Sequence, residues 1–176
     1  MPTIAEINAL DRAAFTRELG RLFEDSPWIA KATFERRPFR NASRLHEELA
    51  ATVRHAPVGR QLALIRAHPD LAGRLAAAGG LTAESAKEQA GAGLDRLSRE
   101  ELAEFDRRNR AYLERFGFPF VICARLNDRE TILRAMEARM ENSPDEERAA
   151  ALAEIGKIAW LRLQDILDAP SAGPAH

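Results

Sequence analysis

Three Ser-x-x-Glu boxes constrain the second half of this chain more than any other feature: Ser85-x-x-Glu88, Ser98-x-x-Glu101 and Ser143-x-x-Glu146. In such a box the serine hydroxyl accepts an amide of the first helical turn, and the glutamate reaches back to the serine amide, so each predicts a helix start. Pro144 adds a proline at the favoured first helical position. The rest of the punctuation is also helical. Asp11 caps a helix expected to run to about Phe23, with Phe15, Leu19 and Leu22 on one face. Ser43 opens a second through about His55, and Leu62 and Ile65 lie in a third that ends near His68 because Pro69 follows. Asp70 starts a further helix that Gly79-Gly80 closes. The helix from Ser98 carries Leu102, Phe105, Tyr112, Leu113 and Phe116, with Gly117 as its C-cap. Asn127 or Asp128 opens another through Ile132, Leu133, Met136 and Met140, and Ser143 opens the longest, to about Asp168. Ser26-Pro27-Trp28 interrupts the pattern, and Arg37-Pro38-Phe39 falls in a loop or short turn. The stretch from Phe116 to Ala124 alone has strand-like chemistry; a lone strand has no partner, and Pro119 weakens it further. The expected fold is all-α: a compact single-domain helical bundle over residues 1–169, with a buried extended segment near residues 118–124 and a flexible tail over 170–176.

Composition matters chiefly for what it excludes. The 176 residues are 45% apolar and 30% charged, which is globular rather than disordered composition. A net charge of −1 gives no general attraction to nucleic acid or anionic lipid, and no apolar run approaches the ~20 residues of a membrane helix. A small acidic metabolite, met locally by one or two arginines, remains open. Cys123 is the single cysteine, so neither an internal disulfide nor a Cys-rich zinc site can form. His46, His55, His68 and His176 include no i, i+4 pair, so no metal-ligand spacing is visible. Met1 to Phe15 carries Glu6 and Asp11 and does not read as a signal peptide, and Gly173-Pro-Ala-His176 is not a Ser-Lys-Leu type address. A soluble cytoplasmic protein is expected.

Three residues each admit a structural reading and a functional one. Arg162 falls in the apolar stripe of Ile155, Ala159 and Ile166 on the final helix, whose polar face carries Glu154, Lys157, Asp165 and Asp168. A guanidinium there either snorkels or pairs with a buried carboxylate, or it clamps an anion in a pocket. His68 follows Leu64 and Ile65 on one face and precedes Pro69, so it is either a C-terminal helix cap or a ring aimed beyond the helix end. Glu88 is either the returning carboxylate of its capping box or, beside the small Ala90-Gly91-Ala92-Gly93, a group in a site. No serine–histidine–acid order, phosphate-cradling loop or basic–aromatic interleaving accompanies them.

Several longer strings go further. Phe23-Glu-Asp-Ser-Pro-Trp28, Arg37-Pro-Phe39, Leu64-Ile-Arg-Ala-His-Pro-Asp-Leu71, Leu81 to Leu94, Arg115-Phe-Gly-Phe-Pro-Phe120 and Ile158-Ala-Trp-Leu-Arg-Leu163 occur in order from about Ile4 to Leu167. Together they resemble the 2-oxo-4-hydroxy-4-carboxy-5-ureidoimidazoline (OHCU) decarboxylases of urate breakdown. The resemblance implies an all-helical, usually dimeric enzyme without metal or organic cofactor, yielding (S)-allantoin, with urate oxidase and hydroxyisourate hydrolase as pathway neighbours. It places the proton-donating histidine on His68, its glutamate partner on Glu88 and the anion-binding arginine on Arg162. It places substrate-lining positions on Pro69, on Ser85, Ala86, Lys87, Glu88 and Gln89, and on the backbone of Phe120, Val121, Ile122, Cys123 and Ala124. Asp25 departs from the histidine that the family commonly has before Ser-Pro-Trp. The alternatives are a non-enzymatic helical interaction module, in which Arg162 and His68 are paired internally, and a hydrolase or lyase acting on a related ureide such as allantoin.

Overall fold

A computed structural model describes residues 2–73 and 79–167, and among them there is no β-strand. The chain groups into two compact units: residues 1–64 with 156–176, and residues 65–155.

The first unit begins with α1 (Ile4–Ala9), opened by a capping box between Thr3 and Glu6. Asp11 caps α2 (Arg12–Gly20) as expected, but the helix stops short of Phe23. Trp28, in the stretch expected to interrupt helical structure, instead begins the short α3 (Trp28–Thr33). A 3-10 turn (Phe34–Arg36) follows, then α4 (Ala42–Arg54). The cap of α4 is Asn41 rather than Ser43, its side chain accepting the Arg44 amide. Helix α2 packs on α3 and α3 on α4, around fully buried Ile7, Phe15, Leu19, Ile29, Leu45 and Leu49. Phe15 meets Phe34 edge-on and stacks on Phe39. The Arg37 guanidinium lies 3.5 Å from the Phe34 ring centroid and donates to the carbonyls of Asn8 and Leu10 at 2.7 and 2.8 Å. It thus satisfies carbonyls at the C-terminal end of α1, which has no further turn to accept them. The unit also holds most of α5 (Val58–Ala67) and the end of α9 (Pro144–Ile166).

The second unit holds α6 (Ala83–Gly91), α7 (Arg99–Phe116), a 3-10 turn (Ala124–Leu126), α8 (Arg129–Arg139) and the first part of α9. The expected caps Ser98 and Asp128 are in place, and Gly117 ends α7 at φ 73, donating to the Leu113 carbonyl. That left-handed conformation is why glycine closes the helix. Ser143 and Glu146 exchange both bonds of their box at the start of α9. The interior is aromatic, with Tyr112 in contact with Phe116, Phe118 and Phe120. Residues 118–123 form the expected buried extended segment, while Ala124 already begins the 3-10 turn.

Asp70 does not begin a helix directly: Leu71 and Ala72 form a turn, with Ala72 at φ 51. The remainder of that expected helix, 74–78, lies outside the described residues. Helix α9 ends at Ile166; Asp168 and the tail also lie outside them.

Candidate active site

Proline lacks the N–H that would continue a helix, so α5 ends one residue before His68, whose own amide still donates to the Ile65 carbonyl at 3.1 Å. His68 is buried, at 7% exposure, and Pro69 is half-buried beside it. The loop beyond has backbone groups that no regular ladder pairs, and side-chain amides take them up. Asn109 of α7 donates to the Leu71 carbonyl at 2.9 Å. Gln89 of α6 accepts the Ala72 amide at 2.9 Å and donates to the Asp70 carbonyl at 3.4 Å. Burial, and after it the nearby Asp106 carboxylate, pushes the Asp70 carboxyl above its ordinary range.

Helix α6 corrects the reading of Ser85 and Glu88. Its N-cap is Thr82, whose hydroxyl accepts the Ser85 amide at 3.2 Å. Ser85 is therefore the third helical residue and Glu88 lies in the helix interior, not in a capping box. Ser85, Glu88 and Gln89 are all buried, whereas Ala86 and Lys87 are exposed. Of the five consecutive positions expected to line a substrate, the two in between thus lie on the solvent side. The spacing i, i+3, i+4 gives α6 a polar face turned inward, the inverse of an ordinary amphipathic helix. Glu88 and His68 consequently belong to one unit, on a helix and a loop that Gln89 ties together.

The same helix packs on the 3-10 turn Ala124–Leu126, just past the extended segment. Phe120, Val121, Ile122, Cys123 and Ala124 are all buried. The Cys123 amide donates to Glu154 of α9 at 2.9 Å, so that N–H, one of those expected to face substrate, is engaged by the protein. Among the described residues no three His, Cys, Asp or Glu side chains are grouped as a metal ion would require.

Arg162 belongs to the first unit. It is 5% exposed, and its Nη2 donates to Glu24, itself 5% exposed, at 2.9 Å; Nη1 lies 3.5 Å from the Arg21 carbonyl. Of the readings left open, pairing with a buried carboxylate is present. Glu24 was quoted only within a longer string, and its partnership spans 138 positions, beyond any local pattern. Asn109 was also missed, although an asparagine among Phe105, Tyr112 and Phe116 on the apolar stripe of α7 was a visible signal.

Residues 8–164 match the family model described as OHCU decarboxylase. The chain belongs to the OHCU decarboxylase family. A 2-oxo-4-hydroxy-4-carboxy-5-ureidoimidazoline decarboxylase of Amia calva is 43% identical over 94% of this chain and 95% of its own length. Among solved structures, an (S)-allantoin synthase superposes with TM-score 0.77 at 27% identity, covering 96% of this chain and 54% of the other. An OHCU decarboxylase crystallised in the presence of (S)-allantoin gives 0.65 at 25% identity, covering 80% and 91%. The OHCU decarboxylase family thus accounts for the ordered strings quoted above, and two solved structures superpose on this helical chain.

Proposed function

We propose that this chain decarboxylates 2-oxo-4-hydroxy-4-carboxy-5-ureidoimidazoline to (S)-allantoin in urate degradation. Family membership supports the reaction. The observation that carries the site is the burial of His68 and Glu88 within one unit, on elements joined through Gln89. An imidazole and a carboxylate withdrawn from water in one unit are groups suited to proton transfer.

The chemistry needs little else. Heterolysis of the bond to the carboxylate leaves its electron pair on the ring carbon, and the adjacent ring carbon–nitrogen system takes it up. Carbon dioxide departs, the hydroxyl becomes a carbonyl, and one proton is taken up. Because the substrate contains its own electron sink, no organic cofactor or metal enters this proposal. His68 takes the hydroxyl proton or delivers one to the ring, and delivery from one face fixes the hand of allantoin. Glu88 orients the imidazole. Arg162, held in orientation by Glu24, meets the anionic charge of the substrate; it accelerates the step only as far as that contact strengthens in the transition state. The peptide groups of the Phe120 to Ala124 segment that Arg139, Glu154 and Asn127 do not take up receive the amide-rich ring.

A cytoplasmic homodimer is part of the same proposal. Among the described residues no helix is long and apolar enough to cross a membrane. The dimer rests on the family resemblance: Leu102 and Leu113, 43% and 46% exposed on α7, are separated by the exposed Asp106–Arg110 ion pair.

The test is a coupled assay in which urate, urate oxidase and hydroxyisourate hydrolase generate the unstable substrate, followed by ultraviolet decay and circular dichroism. Accelerated decay with single-handed allantoin is the expected result. Spontaneous decay to racemic product in the presence of folded protein would remove the proposal.

A further inference from the structure

The extended segment 118–123 has no sheet partner among the described residues, yet its peptide groups are held from several sides. The Val121 carbonyl accepts from Arg139 Nη1 at 2.8 Å. The Cys123 amide donates to Glu154 Oε2 at 2.9 Å, and the Cys123 carbonyl accepts from Asn127 Nδ2 at 2.9 Å. Side chains thus stand where neighbouring strands would in a sheet.

Behind Arg139 lies a buried polar cluster. Its Nε donates to Glu147 Oε1 at 2.7 Å. Glu147 is fully buried and also accepts from the Tyr112 hydroxyl and from Asn142 Nδ2, the latter at 2.8 Å. The Arg139 guanidinium sits 4.3 Å from the Phe120 ring centroid, and Tyr112 meets the same ring edge-on. Burial first, then the bond to Glu147, pushes the Tyr112 hydroxyl far above its ordinary pKa, so it stays a neutral donor. Buried ion pairs are seldom the most stable use of interior volume, because desolvation opposes the attraction. Apolar side chains could fill the same space. They could not donate to the Val121 carbonyl in a fixed direction as Arg139 does.

We propose that Arg139 and Glu154 are positioning residues for the decarboxylation. By holding the Val121 carbonyl and the Cys123 amide, they set the direction of the peptide groups between Phe120 and Ala124 that receive the substrate ring. This rests on the reaction proposed above. The ring is gripped by that segment in the ground state and in the transition state alike, so its loss acts on KM rather than on kcat.

The test is steady-state kinetics on Glu154→Ala, Glu154→Gln and Arg139→Lys in the coupled assay, with (S)-allantoin as product inhibitor. Loss of a hydrogen bond to a charged group predicts a KM raised roughly tenfold in Glu154→Ala, with kcat within about threefold. Inhibition by (S)-allantoin weakens in parallel. Glu154→Gln keeps an acceptor for the Cys123 amide and returns KM to near the parental value. Arg139→Lys retains a charge for Glu147 but cannot span both Glu147 and the Val121 carbonyl, so its KM rises as well. A parental KM in folded Glu154→Ala, or in folded Arg139→Lys should the alanine variant not fold, overturns the positioning role. An inactive parent protein instead overturns the reaction itself, and the positioning role with it.

Discussion

Ser85-x-x-Glu88 and Ser98-x-x-Glu101 are the same local pattern with opposite outcomes. At Ser98 the box closes: the serine hydroxyl accepts the Glu101 amide, the glutamate returns to the serine amide, and its side chain remains about one-third exposed. At Ser85 the box never forms, because Thr82, three residues earlier, has already started the helix. Asp95 stands at the corresponding place before Ser98, but the turn that closes α6 occupies it: Gly93 is at φ 77, and the Leu94 amide returns to the Gln89 carbonyl. A capping motif is therefore decided by which upstream capper is still available. Where an earlier one wins, the glutamate is carried one turn inward and becomes a buried group.

The contrast can be broken most forcefully at Glu88. Removing an acid–base partner in Glu88→Ala is expected to lower the rate of substrate decay by about 10²-fold or more, whereas Glu101→Gln leaves that rate unchanged. A parental rate in folded Glu88→Ala would reduce its burial to packing. Next in size, Ser98→Ala is expected to cost about 0.5–2 kcal/mol of stability in urea unfolding without changing the rate. The same loss should follow Thr82→Ala in α6; if Ser85→Ala produced it through a lost cap instead, the assigned helix start would be wrong. Smallest is a pH effect. Hydrogen bonds from Ser98, the backbone amide foremost, hold the Glu101 carboxyl below its ordinary value of 4.5. Its contribution is then fully present above pH 4.5 and lost as pH falls through the lower folded value. The difference in Tm between parent and Glu101→Gln should accordingly shrink as pH drops below 4.5, and a constant difference would sever the link to the box.

Wherever one residue and the next turn of chain decide the outcome, the fold was legible. Asp11, Ser98, Asp128, Ser143 and Gly117 all act as their types predict. The six-residue helices α1 and α3 were not legible from periodicity, since fewer than two turns give no stripe, although Thr3-x-x-Glu6 was there to be read. Asn41 and Ser43 are both good cappers two residues apart, and only packing chooses between them. Among the candidate site residues, an inward Arg162 followed from its helix stripe, but its partner Glu24 did not, because nothing local links them. Glu88 was obscured for the opposite reason: a sufficient local explanation was at hand and was false. Arg139, Glu147 and Tyr112 read as ordinary helix residues, and only the third dimension brings their polar atoms beneath the extended segment.

The most direct measurement is the decay rate of freshly generated substrate with His68→Ala beside the parent protein, with product handedness followed by circular dichroism. If His68 handles the proton, the rate falls by about 10²–10⁴-fold and the residual product loses its single hand. A folded His68→Ala protein that still gives single-handed allantoin at the parental rate would contradict the assignment of proton transfer to this residue.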